Sequence, residues 1–77
     1  MGKKFPTANC RQVSKVAKKI GFYLLRKTKG SHEIWKRDFD NRFTTIPNHG
    51  SRDMKRKTLK SILEDLKITP KDFCDLK

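Results

Sequence analysis

Only 34% of the 77 residues are apolar, and a chain this short has to bury nearly all of them to fold. At roughly 1.5 kcal/mol of ordering entropy per residue, hydrophobic burial in so small a domain barely balances the loss of conformational freedom. Apolar side chains at regular spacing are therefore expected in one small core, with residues 1–77 forming a single domain. A deep substrate cavity does not fit. Any active site must be shallow and open, which favours a macromolecular substrate over a small one.

The spacing of those apolar residues sets the order of elements. Met1 to Ala8 is a basic lead-in, expected to be flexible. Asn9 and Gln12 make a capping box, and Val13, Val16, Ala17 and Ile20 follow on one stripe. Gly21 stands where a left-handed residue ends a helix. This predicts a helix over about 10–20. Phe22–Lys27, His32–Arg37 and Arg42–Pro47 read as three strands, joined by turns at Lys29-Gly30 and Asp38–Asn41. Asn48–Lys57 reads as a polar loop. Thr58 is then the expected N-cap of a helix carrying Leu59, Ile62, Leu63 and Leu66. Thr69-Pro70 starts a short terminal helix with Phe73 and Leu76 on its apolar side.

The predicted fold is α+β: a two-layer α-β-β-β-α arrangement with an antiparallel three-stranded sheet and its helices on one face. That order and size match the double-stranded-RNA-binding-domain topology, a likeness that does not by itself assign a function. Leu24 beside Leu25, and Ile34 beside Trp35, break strict alternation, so the pattern leaves open which face of the sheet is uncovered.

Charge narrows the partners. Twenty Lys and Arg against eight Asp and Glu leave +12, beyond the magnitude of about 2–8 that solubility alone needs. A polyanionic partner is implied: nucleic acid, an acidic protein or a membrane surface. No apolar run reaches the eighteen or so residues of a membrane span. Met1–Phe5 has no apolar segment of a secretory signal behind it, and Pro6 occupies the Ser/Thr position of a myristoylation signal. A cytoplasmic protein is expected. Two cysteines near opposite ends, Cys10 and Cys74, do not make a disulfide scaffold.

Two histidines are the residues most suited to chemistry. His32 follows a Gly30-Ser31 turn at a strand mouth, and His49 follows the third strand in Pro47-Asn48-His49-Gly50. Imidazole gives and takes protons near neutral pH. RNA brings its own nucleophile, the ribose 2′-hydroxyl. Cleavage without metal then needs a base, an acid and cations around the phosphorus, roles that histidine and Lys or Arg fill. Cys10, His32, His49 and Cys74 stand 22, 17 and 25 residues apart, which is no zinc pattern. There is no carboxylate cluster for magnesium, no glycine-rich phosphate loop and no hydrolase elbow, so no metal or cofactor is expected. Candidate phosphate contacts are Arg26, Lys27, Lys29 and Ser31 around the Gly-Ser-His turn, Lys36 and Arg37 beyond it, and the run Lys55-Arg56-Lys57. Trp35 and Tyr23 are open to two roles, stacking on bases or packing in a core or interface.

Four segments in order carry a family resemblance: Lys18-Lys19-Ile20-Gly21-Phe22; Lys29-Gly30-Ser31-His32-Glu33-Ile34-Trp35; Thr45-Ile46-Pro47-Asn48-His49; and Lys57-Thr58-Leu59-Lys60-Ser61-Ile62-Leu63. Together, across about residues 10 to 76, they resemble the HicA toxin family of bacterial type II toxin–antitoxin systems. Lys57 stands where that family often has glycine. The resemblance implies the double-stranded-RNA-binding-like fold, a metal-independent endoribonuclease acting on mRNA, the Gly-Ser-His histidine (His32) as catalytic residue, and a HicB antitoxin that covers the site. His49 as proton partner of His32 is a reading of these residues and not of the family. The rivals are a non-catalytic RNA-binding module with Lys55–Lys57 as its phosphate clamp, and a helix-turn-helix DNA-binding protein, against which the strand-rich middle argues. Oligomeric state is not readable from the sequence.

Overall fold

The computed structural model describes residues 5–28 and 30–77. In chain order the elements are α1 (Cys10–Lys19), β1 (Tyr23–Lys27), β2 (His32–Arg37), β3 (Arg42–Pro47), α2 (Arg56–Leu66) and α3 (Pro70–Leu76). The strands form one antiparallel sheet in the order β1-β2-β3. The α+β arrangement expected from the sequence is the one observed.

Helix α1 starts where the capping box places it. Asn9 Oδ1 accepts the Gln12 N–H at 3.0 Å, and Gln12 Oε1 accepts the Asn9 N–H at 3.1 Å. It ends in a Schellman motif, with the Phe22 N–H donated to the Ala17 carbonyl at 2.9 Å and the Gly21 N–H to the Lys18 carbonyl at 3.2 Å. Gly21 has φ +97°, a backbone conformation that favours glycine, and a Cβ there would meet Arg37 Cδ at 3.2 Å. The motif turns Phe22 into the core, and β1 therefore begins one residue later than the pattern suggested.

A register shift between Leu24 and Arg26 is the physical reason that β1 does not alternate. Strand β2 alternates cleanly. Glu33 and Trp35 are buried beneath the helices, and β3 places Ile46 opposite Glu33 and Thr44 opposite Trp35 on that same face. Val13, Val16 and Ala17 of α1, Leu59, Ile62, Leu63 and Leu66 of α2, and Phe73 of α3 join the core, with Ala8, Cys10 and Met54. The uncovered face carries the other set, His32, Ile34 and Lys36, with Thr45 and Phe43 opposite the last two. Trp35, open to two roles in the sequence, is a core residue at 3% exposure.

Helix α2 differs from expectation at its start. Lys55 is the N-cap, without a side-chain cap bond, and Thr58 lies in the first turn. Met54 anchors the entry: it is buried and donates its N–H to the Ala8 carbonyl at 2.8 Å. The first helical bond, Leu59 N–H to Lys55 carbonyl at 3.0 Å, then closes before a Thr58 cap could form. Arg56 and Lys57 are consequently helical rather than part of the preceding loop. The lead-in is docked at its C-terminal end, where Ala8 is fully buried; residues 1–4 lie outside the described residues. Among the described residues, no helix is long and apolar enough to cross a membrane.

Candidate active site

The two histidines stand at the same end of the β2–β3 ladder. His32 opens β2 and pairs in register with Pro47, the last residue of β3; His49 follows two residues later. The segment between them is tied down by the residues on either side of each histidine. Asn48 donates its backbone N–H to the Ser31 carbonyl and its side-chain Nδ2 to Glu33 Oε2 at 3.1 Å, and its Oδ1 accepts the Gly50 N–H at 3.1 Å. Residues 31 and 33 flank His32; residues 48 and 50 flank His49. Glu33 is buried at 7% exposure, and its other oxygen accepts from Trp35 Nε1 at 3.2 Å. A buried carboxylate with both oxygens bonded is a rigid anchor, because leaving either donor unpaired would be unfavourable.

Both imidazoles are exposed and line one cleft of about 730 Å³ between the end of β3 and the start of α2. Thr45, Pro47, Arg52, Asp53, Met54, Lys55 and Thr58 complete its walls. Arg52 and Lys55 supply two cations, and the amide end of α2 adds a partial positive charge. A phosphodiester between these groups would meet two imidazoles and two cations at once.

The other sequence-predicted residues divide. Lys57 lines an adjoining groove with Phe43, Thr45 and Asp65. Arg26 and Lys36 lie on the uncovered sheet face, opposite Ile34 and Phe43. Lys27 pairs with Glu33 on the far side, in a depression with Cys10, Lys18 and Asn48. Ser31 contributes its carbonyl to the Asn48 bond. Arg56 has its guanidinium 5.3 Å from the Phe5 ring centroid, outside the walls of the histidine cleft. Lys29 lies outside the described residues.

Arg37 is committed to the fold. It donates to both Asp40 carboxylate oxygens, at 3.0 and 2.8 Å, and to the Ile20 carbonyl at 2.9 Å, with its guanidinium over the Phe22 ring. Expected as a phosphate contact, it instead clamps the end of α1 to the β2–β3 turn, because Asp40 lies three residues away in that turn.

Arg52 was not among the sequence candidates. Its signal was a cation three residues beyond His49, in a loop read only as polar. The cysteines do not join the site. Cys10 is buried against Ser14, and burial pushes its thiol up; Cys74 is on α3. No group of three or more metal-ligating side chains occurs among the described residues.

No curated protein matches the chain. The family model described as the HicA toxin of bacterial toxin–antitoxin systems does match it, over residues 10–68. That span runs from the first residue of α1 past the end of α2 and encloses both histidines, the clamp between them and the whole cleft, and the chain belongs to the HicA toxin family.

Proposed function

We propose that this chain is a metal-independent endoribonuclease that cleaves mRNA, with His32 as a general acid–base catalyst, and that a HicB-type antitoxin neutralises it. One observation carries the reading: His32 and His49 share a single exposed cleft rimmed by Arg52 and Lys55. Membership of a toxin family whose members are generally ribonucleases supplies the biological frame.

The chemistry follows from the groups present. One imidazole removes the proton of a ribose 2′-hydroxyl, whose oxygen attacks the adjacent phosphorus. The bond from phosphorus to the 5′-oxygen of the next nucleotide breaks, and an acid gives that oxygen a proton. The products are a 2′,3′-cyclic phosphate and a 5′-hydroxyl. Arg52 and Lys55 stabilise the negative charge that grows on the phosphorane, where fixed cations act most strongly. The second imidazole, His49, is suited to the opposite proton transfer, since base and acid must act on opposite sides of one phosphorus. Its neighbour Asn48 is anchored to Ser31 and Glu33, the residues on either side of His32.

An antitoxin partner fits the same charge argument. A chain of net charge +12 gains by binding an acidic surface, and a protein seated over the cleft would exclude RNA. The site lies in the cytoplasm on this reading, where mRNA and antitoxin are made.

The test is incubation of purified protein with a defined single-stranded RNA in EDTA. The expected result is cleavage with cyclic-phosphate ends, blocked by 2′-deoxy substitution at the cut. RNA that is shifted but intact would assign a binding module instead, and activity restored only by added metal would overturn the mechanism. Co-expression of a HicB-type antitoxin should relieve growth arrest.

A further inference from the structure

A polymer cut at His32 has to leave the cleft in two directions, and one of them runs onto the uncovered face of the sheet. His32, Ile34 and Lys36 point to that face along β2. The register sets Phe43 of β3 and Tyr23 of β1 on either side of Lys36, and Arg26 beside Ile34. Opposed residues in an antiparallel pair share a face. The face thus presents rings and cations in alternation, beginning at the catalytic histidine.

The rings are exposed. Phe43 is 49% and Tyr23 39% accessible, although the chain has few apolar groups and buries most of them elsewhere. Lys36 Nζ lies 5.5 Å from the Phe43 ring centroid, so a ring and a cation are offered side by side. The Tyr23 hydroxyl donates to Asp38 Oδ1 at 2.8 Å, which fixes its ring, and Lys36 pairs with the same carboxylate at 3.5 Å. Asp38 marks the far end, since an exposed carboxylate does not invite phosphate. From His32 to Lys36 the strand advances about 13 Å, room for the two or three bases that an aromatic sheet platform stacks.

We propose that this face is the track for the single-stranded RNA flanking the scissile phosphate, with Phe43 and Tyr23 stacking on bases, Arg26 meeting the backbone and the Lys36–Asp38 pair closing its far end. The track rests on the nuclease reading for its starting point at His32. RNA rather than protein is favoured by three features: the net charge of +12, the cations set between the rings, and the unbroken path to the cleft. Unpaired RNA is favoured over duplex because the faces of duplex bases are already stacked.

The experiment uses full-length His32→Ala protein, which retains the track without cutting the probe. A labelled RNA of about ten nucleotides, long enough to fill one site, is titrated as a single strand and as a duplex. Phe43→Ala in that background should weaken single-strand binding by about 5- to 150-fold, the range for one lost base stack. Tyr23→Ala should act in the same direction. Phe43→Trp should restore affinity, which also shows that the loss is not misfolding. Phe39→Ala, at an exposed ring in the turn beyond Asp38, should leave binding unchanged.

Affinity within twofold of the parent in both Phe43→Ala and Tyr23→Ala would overturn the track, as would equal losses for single strand and duplex. Phe43→Ala protein that keeps its RNA affinity but escapes the antitoxin would assign the face to protein instead. If the His32→Ala protein binds neither RNA, the track falls, and the nuclease reading falls with it where wild-type protein also leaves RNA intact. If the wild-type protein cuts RNA and Phe43→Ala cuts and binds it equally well, the track alone falls.

Discussion

The two ends of the β2–β3 ladder are electrostatic opposites. At the turn end, charge is neutralised. Arg37 grips both oxygens of Asp40, Arg42 Nε lies 3.3 Å from the same carboxylate, and Lys36 pairs with Asp38 at 3.5 Å. At the other end His32, His49, Arg52 and Lys55 face one cleft, and none of the ion pairs among the described residues is found there. The nearby buried acid, Glu33, is occupied by Trp35 and Asn48. Asp53 lines the cleft without an ion pair among the described residues. Paired charge sits where the fold is held together, and unpaired cation sits where a phosphate would enter. Self-repulsion at the second end would be relieved by a polyanion.

That contrast can be broken from either end. After His32 itself, the largest expected effect is from the cleft cations: Arg52→Ala with Lys55→Ala should lower the cleavage rate by roughly 10- to 150-fold, the value of one or two lost charged hydrogen bonds. Thermal unfolding should show stability within about 0.5 kcal/mol of wild type, as for exposed substitutions generally. Glu33→Ala comes next. It leaves the Trp35 and Asn48 donors unpaired, so stability should fall by about 1–3 kcal/mol, and cleavage should fall with it as the His49 loop loosens. Glu33→Gln, which can still accept one of the two bonds, should lie between. Denaturant unfolding and cleavage on the same samples check both.

At the turn end the signs reverse. Arg37→Ala should cost about 1–2 kcal/mol of stability through the lost Ile20 carbonyl bond and packing on Phe22, with the solvent-facing ion pair adding little. Its cleavage rate should stay within about twofold of wild type, since that side chain does not reach the cleft. The smallest effect is a pH dependence. Hydrogen bonds from Arg37 hold the Asp40 carboxyl below its ordinary value. A depressed carboxyl stabilises the fold above the unfolded-state pKa of about 4 and loses that contribution as pH falls through the folded value. The melting temperature of Asp40→Asn should therefore lie below that of wild type at neutral pH, and the gap should close below about pH 4.

Much of this contrast was legible in the sequence. The bounds of β2 and β3 follow from the turn residues between them, and α1 from its capping box and Gly21, because these signals are local. The bulge at Leu24–Arg26 was not legible, since two adjacent leucines fit either face until the partner strand sets the register. The start of α2 was misread because Thr58 has the chemistry of a cap, while the true start depends on Met54 being anchored to Ala8, more than forty positions away. His32, His49 and Lys55 were named, and the fold gathers them. The Glu33–Asn48 clamp was missed because a glutamate in a basic strand reads as solvated surface, and its burial is set by α1 and the loop packed over it.

The exposed, cation-rimmed imidazole of His32 is the group on which the proposed cleavage depends most. The direct measurement is the single-turnover cleavage rate of one defined RNA by wild-type and His32→Ala proteins in EDTA, with thermal unfolding of both. The expected result is a rate reduced by about 10²–10⁴ with an unchanged melting temperature. Undiminished cleavage by His32→Ala would contradict it.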